Sequence, residues 1–322
     1  MRIVSRLAFF AACLLSLAGA AQGQDYPSKV IRLVVPYPPG GVVDITGRLL
    51  ADQLAQELGG SVVVENKPGA GGTIGADFVA RAPADGYTVL LAGAATHAFA
   101  PWLYKSLPYD PVKDFVAVTQ FTEGPLALCV NATSPVKALP GFIEMLKARG
   151  DAVSYASNGN GTYPHLSVEL LKQVVDTQPV HIPYQGGGQA ITALIAKEVE
   201  FSQNHIPVVL PHVKSGRLRV LATTGAARSA TFPDVPTLRE AGIDVVASAW
   251  FCLFVPKGTP QPIVERLYKA TAAASRVPAL RAKLAAQGDD VVVEGPEKFQ
   301  AFQQSELAKW KGVIARAGLK VQ

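Results

Sequence analysis

The amino-acid sequence predicts an α/β fold built as two units in series. Three observations carry that expectation. Short apolar runs alternate with longer runs of helical period, the pattern of strands joined by covering helices. Glycine- and proline-rich loops mark the points where a strand passes into a helix. The chain has 322 residues, 49% of them hydrophobic and 17% charged, enough to enclose about two domain cores.

The chain opens with Arg2 and Arg6, an apolar run from Leu7 to Leu17, and the small residues Ala18-Gly19-Ala20. This is the pattern of a secretory signal peptide over residues 1–20, its apolar core too short for a membrane anchor. The mature protein is therefore expected to be exported and soluble, and no later apolar run is long enough to span a bilayer. "KVIRLVV" reads as a buried strand. "PYPPGG" ends it, because proline brings no N–H to a ladder and glycine lets the backbone bend tightly. A helix follows from Asp44 to Leu58, with Ile45, Leu49, Leu50, Leu54 and Leu58 on one side and Gly59-Gly60 closing it.

"SVVVEN" is a second strand, "TIGADFVARA" a helix after the loop "KPGAGG", and "TVLLAGA" a third strand followed by the loop "GAATHAFAP". This βαβαβ order implies a parallel sheet with right-handed crossovers. The second unit repeats the style. "AVSYAS", "PVHIPY", "VEFSQ" and "RLRVLATT" are its strands; "HLSVELLKQVV", "AITALIAK" and "PVVLPHVKSG" are its helices. From Thr259 onward the chain reads as helical apart from the strand "DVVVE". Its last long helix carries Phe299, Phe302, Leu307, Trp310 and Ile314 on or near one face, as core packing.

The formal charge is +5; removing the leader leaves 28 basic and 25 acidic residues, near +3. No basic block suits a nucleic acid. The glycine loops do not complete a catalytic or phosphate motif. The dinucleotide fingerprint fails at "GAGGTIG", where Ile74 occupies the last glycine position, and the nucleophile elbow fails at "YASNG", where Tyr155 occupies the first. His97, His165, His181, His205 and His212 are dispersed, with no zinc-ligand pair, so neither a metal nor a cofactor is expected. The leader's Cys13 aside, Cys129 and Cys252 remain, both in apolar strands, read as buried thiols or as a pair in an oxidising compartment.

What remains is a set of loops after strand ends, the place where α/β folds bind ligands. Gly40 and Gly41 either serve the turn or offer N–H groups to a carboxylate. Asp44 is a helix-start residue or a partner for an amino group. Thr96 and His97 end a strand or donate to a ligand. Ser157, Asn158 and Thr162 are small polar groups suited to hold a carboxylate at a helix N-terminus. Tyr184 is expected on the cleft wall.

The strings "PYPPGG", "VVVENKPGAGGTIGADFVA", "THAFAPWLY", "LPYDPVKDF", "YASNGNGTYPHL", "HIPYQGG" and "FPDVPTL" together resemble the Bug receptors, the extracytoplasmic solute-binding proteins of tripartite tricarboxylate transporters. The resemblance runs over essentially the whole mature chain. It implies a periplasmic-binding-protein fold: two α/β sheets with a ligand cleft between them and two crossover strands, near "PLALCVN" and "WFCLFVP". Domain 1 would be residues 25–124 and 250–322, and domain 2 residues 125–249. The resemblance further implies a small organic carboxylate as ligand, no catalysis, and delivery to the permease subunits of such a transporter. Carried over, the ligand groups would be Pro39, Gly40, Gly41 and Asp44, then Ser157, Asn158, Gly159 and Thr162, with His165 close by. Departures lie at Gln189, Ala193 and Asn204, which stand where the family has proline, an acid and often aspartate. If the crossover strands are neighbours, a Cys129–Cys252 disulfide would tie the hinge, given Cα atoms within about 7 Å. Two other functions stay open: an exported hydrolase or transferase using Ser157 and His165, and a receptor that presents its ligand to a signalling partner. A monomer is expected.

Overall fold

The computed structural model describes residues 26–320; the signal peptide expected over residues 1–20 lies outside them. The first half begins with β1 (Ile31–Val35), α1 (Val42–Leu58), β2 (Val62–Asn66), α2 (Thr73–Ala80) and β3 (Thr88–Gly93). β1 pairs in parallel with both β2 and β3, as the βαβαβ order requires. α1 buries Leu50, Ala51, Leu54 and Leu58, while Ile45 stays 42% exposed at the first turn. The helix ends because Gly59 takes a left-handed φ of 70°, which lets the N–H groups of Gly59 and Gly60 reach back to Gln56 and Ala55.

The segment expected as a loop after β3 is helical instead. Ala95–Phe99 forms a wide turn that runs into the short helix α3 (Ala100–Leu103). Pro101 sits at the start of α3, where its missing N–H costs nothing, so it begins a helix there rather than breaking one.

β4 (Phe115–Asn131) is the axis of the molecule. Its residues 115–125 pair with β9 (Ser248–Pro256), and its residues 126–131 pair with β7 (Phe201–His205) on one side and β8 (Leu218–Thr223) on the other. The two expected sheets are therefore one hydrogen-bonded path, β2-β1-β3-β9-β4-β7, continuing through β5 (Ser154–Ser157) to β6 (Val180–Pro183). β5, β6 and β7 are mutually parallel, but β9 runs antiparallel to β3 and β4, so each half is mixed rather than parallel. β10 (Asp290–Glu294) adds to the free side of β4 in the first half. The second crossing lies just before β9: the Ala247 N–H donates to Thr224, and the next residue, Ser248, already pairs with Pro125.

The covering helices of the second half are α4 (Leu139–Arg149), α5 (Tyr163–Val175), α6 (Gly187–Ala196) and α7 (Ile206–Lys214). α8 (Gln261–Ala274), α9 (Pro278–Ala285) and α10 (Pro296–Arg316) close the first half. α10 buries Phe299, Trp310, Val313 and Ile314, and with them Gln303 and Glu306. Trp310 packs edge-on against Phe99 of the first half and Tyr163 of the second.

Cys129 and Cys252 are both buried and free. Cys252 pairs with Gln120, and Cys129 lies nine positions further along β4, beside Ser202 and Val220. Nine strand residues span roughly 30 Å, far beyond disulfide reach, which corrects the possible hinge disulfide. The two crossover segments are neighbours, but the cysteines fall on opposite sides of the crossing.

Candidate functional site

A cleft of about 370 Å³ opens where the strand ends of the two halves meet. One wall comes from the first half: Tyr37 and Val43 around the loop after β1, Gly71 before α2, and Gly93, Ala94 and Ala95 after β3. Gly93 is needed there, because a Cβ at this position would lie 2.0 Å from the Trp250 carbonyl oxygen on β9. The facing wall is the loop after β5 and the start of α5: Asn158, Asn160, Gly161, Thr162 and Tyr163. His205, at the end of β7, and Ala249, Trp250 and Phe251 of β9 complete the floor.

The loop after β1 presents Pro39, Gly40 and Gly41 to solvent, next to Val43. Gly40 has φ 84°, and Gly41 is the N-cap of α1. Asp44 does not face the cleft. Its buried carboxylate accepts the Gly40 N–H at 2.9 Å, the Asn66 amide at 2.9 Å and the Arg48 guanidinium at 3.0 Å. Burial alone would push this carboxyl up; the bonds from Arg48, Gly40 and Asn66 win and hold it below its ordinary value. Asp44 thus shapes the loop rather than meeting an amino group.

Thr96 and His97 are fully buried behind the wall. The His97 ring stacks on Phe254 at 3.9 Å, its Nδ1 lies 2.8 Å from the Thr96 hydroxyl, and burial pushes its pKa down to about 3. The helical turn after β3 rotates both side chains into the core and leaves backbone from residues 93–95 at the cleft. Tyr184 is also turned away, its hydroxyl donating to Glu198 at 3.3 Å.

The loop after β5 is held from behind by a buried polar chain. Ser157 is fully buried; its hydroxyl lies 2.6 Å from His181 Nε2 and accepts the Gly159 N–H at 3.1 Å. His181 stacks on His165 at 3.8 Å. His165 Nδ1 accepts the Gly161 N–H at 3.0 Å, so His165 positions the loop from within the core. The Thr162 hydroxyl donates to the Gly159 carbonyl at 2.7 Å. Nothing in the spacing of the sequence singled out His181; it reaches Ser157 because β6 pairs with β5.

Glu169 anchors this chain, accepting from the Tyr155 hydroxyl at 2.9 Å and from Lys172 at 2.8 Å. Burial opposes its charge, but the His165 ring 3.7 Å away and the bonds from Lys172 and Tyr155 bring its pKa down to about 2. A depressed carboxyl pKa gives stability that is present above the unfolded value, 4.5, and is lost as pH falls toward 2. The expected contribution is on the order of 3 kcal/mol. Urea unfolding of the protein and of Glu169→Gln at pH 5 and pH 2.5 reads it. The variant should be less stable at pH 5, with the gap closing at pH 2.5; a gap independent of pH would contradict the assignment.

Asn158 is the cleft donor whose orientation the backbone fixes. The His205 N–H donates to Asn204 Oδ1 at 2.9 Å, so Asn204 turns its amide nitrogen to Asn158 Oδ1 at 2.8 Å. The Asn158 amide nitrogen donates one hydrogen to Asn204 Oδ1 at 3.3 Å and keeps its second beside the cleft. Asn204 itself is fully buried and acts through Asn158. His205, absent from the sequence-based candidates, borders the cleft, and burial pushes its pKa down to about 4. Among the described residues that line the cleft there is no Asp, Glu, Lys or Arg.

Residues 46–319 match the sequence profile of the Tripartite tricarboxylate transporter family receptor. Over 308 residues the chain is 37% identical to Protein BugT of Bordetella pertussis, covering 95% of this chain and 94% of that protein. A solved structure described as a periplasmic transporter is 38% identical, with TM-score 0.80, covering 92% of this chain and all (100%) of the other. An R. palustris protein solved with adipate is 32% identical, with TM-score 0.81, covering 92% of this chain and 99% of the other. No described helix is long and apolar enough to cross a membrane.

Proposed function

The chain belongs to the tripartite tricarboxylate transporter receptor family, a family of solute-binding receptors, and from that premise we propose that its cleft captures a small organic carboxylate in the periplasm, leaves it chemically unchanged, and delivers it to the membrane permease of such a transporter. The observation that carries this reading is the start of α5 at the cleft wall. There the uncharged amides of Asn158 and Asn160 border the cleft beside the start of α5, whose dipole favours an anion. The exposed loop Pro39-Gly40-Gly41 stands opposite as the second contact, with Asp44 as its support. Residues 25–124 with 250–322, and residues 125–249, are read as the two bodies that close on the ligand, hinged on β4 and the segment before β9. Closure would take the contact out of water and strengthen it. The adipate carried by the R. palustris neighbour supports the carboxylate class.

A catalytic use of Ser157 finds a histidine at hydrogen-bond distance, but it is His181 rather than His165. The Ser157 hydroxyl is buried and already engaged with Gly159, and Glu169 serves His165, not His181. This favours a structural role for the pair.

A thermal-shift screen of the mature chain against carboxylates, with phosphate and sugars as controls, tests the reading. A carboxylate at a hundredfold over Kd should stabilise by about 2.7 kcal/mol, roughly 5–10 °C. Gly41→Leu should lose that shift without loss of fold, because Gly41 has an ordinary φ of −78° and its Cβ would meet only the Pro38 carbonyl at 3.7 Å. A shift with sugar or phosphate and none with carboxylates would reject the proposal.

A further inference from the structure

The lining of the cleft divides sharply by chemistry. Its polar side chains cluster on one element: Asn158, Asn160 and Thr162, at the start of α5. Elsewhere the wall is Val43, Leu103, Ala249 and Phe251, together with rings most of whose polar atoms are already committed; the Tyr37 hydroxyl and the neutral His205 ring each keep one donor. The Tyr104 hydroxyl donates to the Ala70 carbonyl at 2.8 Å, and the Tyr163 hydroxyl to the Ser248 carbonyl at 2.7 Å. The Trp250 indole N–H donates to Glu306, away from the cleft. His205 is held neutral near pH 7 by burial, so it brings no standing cation. With no Lys or Arg in the described lining, the cleft gathers its side-chain amides at one place and leaves a mostly apolar remainder.

We propose that the ligand is a monocarboxylate with an apolar body, aromatic or aliphatic, rather than a di- or tricarboxylate; this rests on the carboxylate reading of the same cleft. The single carboxylate sits at the start of α5, where the Asn158 and Asn160 amides replace its water and the helix dipole favours its charge. The body lies against the tyrosine rings and the start of β9, where each apolar surface removed from water adds affinity. A second carboxylate would leave water for a wall without a cation and with only the Tyr37 hydroxyl and the His205 ring N–H as side-chain donors, which is unfavourable.

The test uses matched pairs that differ only by that second carboxylate: hexanoate against adipate, and benzoate against terephthalate. Isothermal titration of the mature chain at pH 7.5 reads the four Kd values, with malate and citrate as further probes. The expected result is that the monocarboxylate of at least one pair binds tenfold or more tightly than its partner, and that Asn158→Ala weakens it at least fivefold. Adipate and terephthalate each binding as tightly as its partner overturns the proposal. So does malate or citrate binding while hexanoate and benzoate stay silent, and in that case the carboxylate reading survives. Silence of all six overturns both.

Discussion

Glu306→Ala is expected to destabilise the protein by about 3–5 kcal/mol, the largest single loss that the structure implies. Glu306 is 4% exposed, on the inner face of α10. Its Oε2 accepts the indole N–H of Trp250 at 3.0 Å and that of Trp310 at 2.9 Å, and the Lys309 ammonium lies against Oε1. Both indoles are fully buried. Alanine would strand two buried donors and open a void beside them, and an unpaired buried donor costs about 1–3 kcal/mol each. Glu306→Gln keeps an acceptor and should cost less. Urea unfolding followed by tryptophan fluorescence measures both. A loss under about 1 kcal/mol for the alanine variant would mean that water restores the bonds. Since Trp250 also forms part of the cleft floor, the alanine variant should bind carboxylate more weakly even where it is folded.

Asp289→Asn is expected to act in the opposite direction, stabilising the protein by about 2–4 kcal/mol at pH 8. Asp289 sits in the turn between α9 and β10, wedged against Gly124 of β4, where a Cβ on Gly124 would lie 2.4 Å from its Oδ1. Its one side-chain bond is a long one, 3.5 Å, from the Thr46 hydroxyl of α1. Burial, with the neighbouring Asp290 adding to it, pushes its pKa up to about 7, against a small opposing pull from Thr46. A raised carboxyl pKa gives stability that is complete below the unfolded value, 3.8, and is lost as pH rises toward 7. Above pH 7 the folded protein holds a buried charge that asparagine would not carry. Urea midpoints of both proteins at pH 4 and pH 8 decide it: the stabilisation should be present at pH 8 and nearly absent at pH 4. The same gain at both values would show that the charge is not its source.

Much of this architecture is legible in the sequence, for physical reasons that also mark where legibility ends. β1, α1, β2 and β3 announce themselves through apolar period and through Gly59, whose left-handed turn only glycine takes without strain. The loop after β5 could be nominated because small polar residues before a helix start have few other uses. Direction and partner were harder. β9 reads as a strand, but nothing local says that it runs antiparallel between β3 and β4, because side-chain alternation is the same in either direction. Thr96 and His97 look available because "GAATHAFAP" has the composition of a loop; its helical turn buries both. His181 and His205 lie beyond local reading because their roles come from strand pairing across more than 20 and more than 70 residues, to Ser157 and to Leu126 of β4 respectively. Glu306 sits in an apolar stripe and looks like its exposed neighbours until two indoles are found against it.

The position of β9 also bears on the order in which the chain leaves the ribosome. β3 and β4 each spend one edge on β9, yet Ser248 follows Asn131 by more than a hundred residues of intervening second-half structure. A nascent chain that has reached Thr223 holds every element of the second half's sheet, while the first half still has a gap at its centre with two unsatisfied strand edges facing each other. Synthesis order and sheet order are thus out of step in the N-terminal half alone. The first half's sheet can therefore close only after the last quarter of the message has been read.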